Sequence, residues 1–580
     1  MKNTKKIKIG RMKKVASVLS AAVLISGCLT GCGGSTTVPG GEEEAVDDSK
    51  TQLIVATFDG GLGSDWIKEA GKRFAEKFAD TSFEEGKKGV QVTVLKSTNY
   101  AGETILGTLQ KEEADVWFTE TVNYLDHINA GNFADITDIV TEDLKEYGEE
   151  KSIEDKMDSD FRSFLNQGTE ENPKYYAIPF YDGFYGLTYD KDMFSEYNLY
   201  FKSSGSEAGD AEDSLGFVTS ESDKKSAGAD GKYDTYDDGL PATYAQFLSL
   251  LDEMKEKDIT PFVYGGSNAM SYPLRTMASF WAQAEGADGY RLNMTFNGIA
   301  NDLVKFDANG KIVKSTDGVP QLESLAINAD NGYELQRQVS KYNVLQLFYE
   351  ILQDEENYSN SSLVHTAAQS DFLKGKESKY TTYGMLIDGS WWENEATESF
   401  NALATRFGEK YAKENRNLAF MPLPVAAAED VGRENVLLNA NTSLAFIRSN
   451  TDIMDCAKAF LQFTTTDEEL SAFTASVSMT RAFNYEFVSE YEEKATSFGK
   501  NLYELRKAST VIHPYSSEPI FQNNQAFFST ERWSFNTLLD NSPYSNPWSL
   551  WLNYADKYQA DAYFEGMYLK QKTEWSTLAK

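Results

Sequence analysis

The chain has 580 residues, 41% of them hydrophobic, and its 89 Asp and Glu against 55 Lys and Arg leave a formal charge of -34. That length exceeds one small domain, and this apolar share, with 9 Trp, 32 Tyr and 35 Phe, excludes a disordered chain. A surface so acidic repels nucleic-acid phosphates and anionic headgroups, which excludes non-specific nucleic-acid binding and leaves neutral or cationic ligands.

Residues 1–14 carry Lys2, Lys5, Lys6, Lys8, Arg11, Lys13 and Lys14 and no acid, and the apolar stretch Val15 to Ile25 follows. This is the pattern of a secretion signal, too short to span a bilayer stably, which takes roughly 20 apolar residues. Leu29-Thr30-Gly31-Cys32 resembles a bacterial lipobox, and Ile25-Ser26-Gly27-Cys28 fits the same pattern. Cys32 is the favoured lipidation site, because the polar stretch Gly33 to Thr37 begins directly after it; Cys28 is the alternative. Loss of residues 1–31 as a signal peptide removes seven positive charges and takes the net charge from -34 to -41. Lipidation of Cys32 leaves Cys456 without a disulfide partner, in an apolar helical pattern that predicts a buried, inert thiol. Residues 32–51 read as a flexible acidic tether.

From residue 52 strands and helices alternate. Leu53 to Thr57 is a buried-type strand, and Ile67, Ala70, Phe74 and Phe78 follow at helical spacing. Val90 to Leu95 predicts a second strand, Thr104 to Lys111 a helix, and Ala114 to Phe118 a third strand. The alternation argues for a parallel sheet with crossover connections. Strands are expected at Tyr175 to Phe180, Gly186 to Tyr189 and Ser443 to Ile447, and amphipathic helices at Tyr244 to Lys257 and Tyr342 to Leu352. Lys202 to Gly239, crowded with Ser, Gly, Asp and Glu, reads as a surface insertion.

No G-x-x-x-x-G-K-[ST] loop, H-E-x-x-H, C-x-x-C or G-x-S-x-G motif occurs, and the histidines, His127, His365 and His513, are far apart. The chain reads as a binding protein that requires no cofactor. A pair of carboxylates would suffice for a glycoside hydrolase, so that alternative stays open, as does a surface adhesin.

Three stretches carry a family resemblance. Tyr175-Tyr176-Ala177-Ile178-Pro179 runs into Gly183 to Phe194. Gln369 to Lys376, with its F-x-x-G-K element, continues to Gly384-Met385-Leu386-Ile387-Asp388-Gly389-Ser390-Trp391-Trp392-Glu393. Ala457 to Phe463 is followed by Thr466-Asp467-Glu468. Together they resemble the crossover, the strand with its G-S-W element, and the returning-lobe helix of extracellular solute-binding proteins of ABC importers, in particular the carbohydrate-binding group. The resemblance implies an α/β, two-lobed, periplasmic-binding-protein-like fold of type II with a hinge between the lobes. It also implies a monomer, anchored by lipid alone at the outer face of the cell membrane, that binds an oligosaccharide and serves membrane permease subunits and their ATPase. The matching organisation is a first lobe over 52–178 and a second over 179–437, with insertions near 202–239 and 290–330. The first lobe returns over 438–500, and C-terminal helices over 501–580 lie on the second lobe. Asp190 stands where the family carries Asn.

A sugar site needs aromatic platforms beside groups that bond hydroxyls. Trp391 and Trp392 follow a strand end, with Asp388 just before them; neighbours in an extended chain point to opposite sides, so one Trp faces the cleft, and Trp391 is favoured. Tyr181, Asp182 and Tyr185 lie where the lobes meet and suit either the cleft or the hinge. Phe58, Asp59, Trp117 and Tyr264 sit at strand ends, where parallel sheets open onto crevices, with a core role the favoured alternative for Trp117. Asn268, Tyr272, Asn439 and Asn441 are further candidates, with turn roles as the alternative. Asp230, Asp234, Asp237 and Asp238 cluster as a candidate calcium loop, with a solvated acidic turn as the alternative. A polyamine or other cationic ligand of the same fold is the rival reading, since aromatic boxes with Asp also hold amines.

Overall fold

Helix Asp65–Lys77 buries Trp66, Ile67, Ala70, Gly71 and Phe74, and a Cβ at Gly71 would lie 3.0 Å from Val92, so the helix rests closely on its sheet. The computed structural model that shows this describes residues 45–102, 105–109, 111–120, 122–359, 362–375, 377, 379–440 and 442–578. The expected signal peptide, Cys28, Cys32, most of the tether and Asn441 lie outside the described residues.

In chain order the strands are β1 (Thr51–Phe58), β2 (Val90–Ser97), β3 (Val116–Thr119), β4 (Ile178–Pro179), β5 (Tyr185–Asp190), β6 (Ile259–Tyr264), β7 (Gly298–Val304) and β8 (Leu322–Ile327). They continue with β9 (Thr382–Gly389), β10 (Leu418–Phe420), β11 (Asn435–Leu438), β12 (Leu444–Ile447) and β13 (Ser509–Ile512). Two main sheets form, in the orders β2-β1-β3-β12-β4 and β10-β5-β9-β6. β1 pairs in parallel with β2 and β3, as the alternation predicts, whereas β12 returns antiparallel to β3 and β4. The second sheet is mostly antiparallel, with β6 and β9 parallel.

Each sheet has its own core. The first gathers Leu53, Phe74, Val116, Ile178, Phe446, Phe460 and Phe473, from both ends of the first lobe's sequence. The second gathers Leu187, Phe247, Phe262, Trp281, Phe348 and Ile387 with Trp548, Trp551, Phe564 and Trp575 of the C-terminal helices. The expected return to the first lobe over 438–500 ends early. Helix Ser497–Lys507 turns Phe498, Leu502 and Leu505 toward Val263, Leu386 and Phe420, so it belongs to the second lobe.

The insertion at 202–239 is more tied down than its composition suggests. Asp210, 1% exposed, accepts from the Ser204 and Ala227 amides and fastens the loop from within. The insertion near 290–330 contains the antiparallel hairpin of β7 and β8. Asp190 caps helix Lys191–Glu196 and pairs with Arg416 at 2.7 Å, a role an Asn could fill only in part. Cys456 is buried, and burial pushes its thiol up to about 12, so it is unreactive. No helix among the described residues is long and apolar enough to cross a membrane.

Candidate functional site

Strand ends of both lobes converge on Trp391. β9 runs antiparallel to β5 with Tyr185 opposite Gly389, which sets Tyr185 beside the residues after β9. Helix Ser271–Glu285 brings Tyr272 and Arg275 to the same place. The half-buried Trp391 ring meets Tyr185 edge-on at 4.9 Å and Tyr272 at 5.9 Å, and the two tyrosines lie 5.2 Å apart. Three glycines let backbone approach the indole. A Cβ at Gly61, in the loop after β1, would lie 3.3 Å from it; at Gly183, in the crossover, 3.2 Å; and at Gly389, 2.2 Å. Asn394 Nδ2 donates to the Gly61 carbonyl at 2.7 Å, so the loop of one lobe is bonded to the segment after β9 of the other.

Polar groups flank the rings on two sides. Glu120, just past β3, accepts from the Tyr181 hydroxyl; burial pushes its carboxyl up, against the pull of that hydroxyl and of Arg275. Arg275 Nη1 lies 2.7 Å from the Tyr185 hydroxyl, to which it donates. On the other side Asp388 is buried, and burial followed by repulsion from Glu395 pushes it up to about 8. Gln369 bridges the two carboxylates, donating to Asp388 at 3.1 Å and Glu395 at 2.7 Å, and His365 lies 3.4 Å from Glu395. The arrangement is an aromatic cluster between two lobes with acids, an amide and one arginine around it.

No family model matches the chain, and no curated protein matches it in sequence. Among solved structures, a chitin oligosaccharide binding protein superposes with a TM-score of 0.50 over 91% of this chain and 100% of its own, at 14% identity. The apo form of RafE from Streptococcus pneumoniae aligns with a TM-score of 0.49 over 91% of this chain and 99% of its own, also at 14% identity. The chain has the two-lobed solute-binding-protein fold. At such identity the likeness is one of fold, and ligand and residue roles do not follow from it.

Within this solute-binding fold the sequence-expected residues separate. Trp391, Tyr185, Tyr272, Tyr181 and Asp388 come together as described. Phe58 is partly buried against the first core and folds over Gly60, while Asp59 pairs with Lys96 at 3.3 Å. Asn268 accepts the His365 amide at 3.0 Å and bonds its ring at 2.9 Å, at the edge of the cluster. Three aromatic candidates lie in cores and leave the candidate site, Trp392 and Trp117 in line with their favoured core reading and Tyr264 against expectation. Trp392 is fully buried among Phe372, Phe400 and Phe498. Trp117 is fully buried, stacked on Phe446, its indole N–H donating to Ala114. Tyr264 packs edge-on against Trp548 in the second core. Trp117 and Tyr264 lie in strands with their rings on the core side, and Trp392 opens helix Trp392–Glu395 with its ring in the core.

Asp182 takes the hinge reading rather than the cleft one: it is 0% exposed and paired with Arg506 at 2.5 Å. Asn439 is a hinge residue too, accepting the Gly183 amide at 2.9 Å and donating to His513. In the acidic loop the carboxylates serve the loop's own backbone. Asp237 accepts from Asp230 N at 2.9 Å, Asp238 from Asp234 N at 2.9 Å, and Asp230 from Lys232 N at 2.8 Å. No group of three or more His, Cys, Asp or Glu among the described residues is placed to hold a metal ion, and the bonds within this loop are those of an acidic turn. An open cavity of about 900 Å³ lies beside that turn, lined by Tyr236, Arg433, Glu434 and Glu504 among others, away from the aromatic cluster.

Glu120, Arg275, Gln369 and Glu395 escaped the sequence reading. Gln369 and Glu395 lie inside or next to the resemblance stretches, but only the fold reveals that they face one another.

Proposed function

We propose that the chain is the lipid-anchored receptor of an ABC importer, attached through Cys32 or, alternatively, Cys28. In this reading it binds an oligosaccharide between its lobes and hands it to a membrane permease and its ATPase. It catalyses no reaction and works as a monomer at the outer face of the cell membrane.

One observation carries the reading: Trp391 stands edge-on to two tyrosines, with glycine backbone from both lobes against it and hydrogen-bonding side chains on two sides. A sugar ring offers weakly apolar C–H faces and a rim of hydroxyls, and this pairing of flat aromatic surface with carboxylate and amide groups suits both. The name of the chitin oligosaccharide binding protein, which shares the fold, supports the same class of ligand. Contacts made to one ligand from both lobes favour the closed arrangement, and a closed shape is what a permease can distinguish from an open one.

Calorimetry of the chain against panels of neutral oligosaccharides and of polyamines tests the reading. Saturable heat from at least one oligosaccharide is expected; heat from polyamines alone would overturn it.

A further inference from the structure

Beside Trp391 the hydrogen-bond inventory does not balance. Asp388, at the end of β9, is 2% exposed; its Oδ1 accepts the Gly389 amide at 2.7 Å and its Oδ2 accepts Gln369 Nε2 at 3.1 Å. No cation pairs with it among the described residues. Gln369 is 0% exposed and gives its other Nε2 proton to Glu395 at 2.7 Å. Both of its donors are spent, and its Oε1 has no partner. The basic group nearest this cluster is His365, whose Nε2 stands 3.4 Å from Glu395 and whose Nδ1 bonds the Asn268 amide at 2.9 Å. Arg275 serves the opposite side, bonding Tyr185 and acting on Glu120. The two carboxylates therefore share one amide as a side-chain donor, His365 stands by Glu395 alone, and the amide's own oxygen has no donor. A buried carboxylate without a cation is costly, and so is a buried acceptor without a donor.

We infer that this end of the cleft seats a protonated amine, so that the ligand is an amine-bearing sugar whose ammonium lies among Asp388, Glu395 and the Gln369 Oε1. The inference rests on the sugar reading above. An ammonium brings three donors to this group of acceptors, of which the Gln369 Oε1 has none, where a hydroxyl brings one. Aromatic side chains also stabilise a cation. Tyr185 and Tyr272 both lie within electrostatic reach of Asp388, so the rings and the acid form one environment. The upward displacement of Asp388 to about 8 fits a carboxylate that lacks its cation. The acidity of the chain as a whole steers cations toward it.

The test is calorimetry of the full chain with three oligomers of equal length and linkage: of glucosamine, of N-acetylglucosamine and of glucose, with spermidine as a sugar-free amine. The glucosamine oligomer should bind at least tenfold more tightly than the glucose oligomer, and acetylation of the amine should abolish the advantage. Glu395→Gln should remove most of the preference; this side chain is 23% exposed, so the variant should fold, which its thermal transition checks. Equal or tighter binding of the glucose oligomer would overturn the inference and leave the sugar reading standing. A preference that survives both Glu395→Gln and Asp388→Asn would overturn it as well. Binding of spermidine with no sugar would overturn the sugar reading and with it the inference, as would binding of none of the four.

Discussion

Trp391 and Trp392 are neighbours of the same type with opposite environments, one between the lobes and one sealed among three phenylalanines. Trp391→Ala should weaken sugar binding at least tenfold, about 1.4 kcal/mol, with a small change in stability. Trp392→Ala should cost about 3–5 kcal/mol of stability, read as a lower urea midpoint, because it empties a filled core site. Gly389→Ala should act like Trp391→Ala, since its Cβ would stand 2.2 Å from the indole and displace it. Asp388 gives a pH signature. Burial first, and Glu395 second, push its carboxyl up to about 8, so ionising it penalises the folded state more than the unfolded chain. Stability should therefore fall as pH rises from roughly 4, the unfolded value, toward 8, and Asp388→Asn should flatten that fall in urea midpoints taken at pH 5 and pH 8. The sequence made Trp391 legible because a G-S-W element follows a strand. Trp117 and Tyr264 share strand-end positions yet turn inward, and a strand's alternation does not say which side a partner lobe will cover. Glu120 and Arg275 were illegible for another reason: they meet across the cleft from segments 155 residues apart in the chain.

At the level of elements, the hinge is built from a short crossover and its bonds. The Gly183 amide donates to Asn439, the Ala440 amide to the Gly183 carbonyl at 2.7 Å, and the Asp182 amide to Thr480 at 3.1 Å. Beneath them Arg506, on helix Ser497–Lys507, holds Asp182 at 2.5 Å and Asp158 of the first lobe at 2.6 Å. Burial alone would push Asp158 up, but Arg506, His513 and Asn484 bring it down to about 2. A carboxylate lowered in this way contributes stability that is full above its unfolded value, roughly 4, and is lost as pH falls toward 2. Arg506→Leu would leave two buried carboxylates without their cation and should cost about 3–5 kcal/mol. Its thermal transition at pH 6 should lie well below that of the parent chain, and the parent's own transition should drop between pH 4 and pH 2. The regular elements were readable where periodicity is strong: the helix expected over Tyr244 to Lys257 spans Tyr244–Glu256, and Thr243 caps it. The strand expected over Tyr175 to Phe180 is reduced to Ile178–Pro179, because pairing with β12 extends over little more than that pair. The hinge ion network was not readable at all, since its members come from four separate segments.

For the whole molecule, the resemblance carried by three stretches implied a two-lobed α/β fold, and the sheet orders and separate cores agree. Residues 501–580 were expected on the second lobe, and the structure carries that start back to Ser497, where the helix with Phe498, Leu502 and Leu505 begins. In the function proposed for the chain, one oligosaccharide is held by both lobes at once. Hydrogen–deuterium exchange of the chain with and without a bound oligosaccharide tests it most directly. Simultaneous protection of the loop at 59–62, the crossover at 181–185 and the segment 389–395 is expected. Protection confined to one lobe, or none in these segments under saturating sugar, would contradict it.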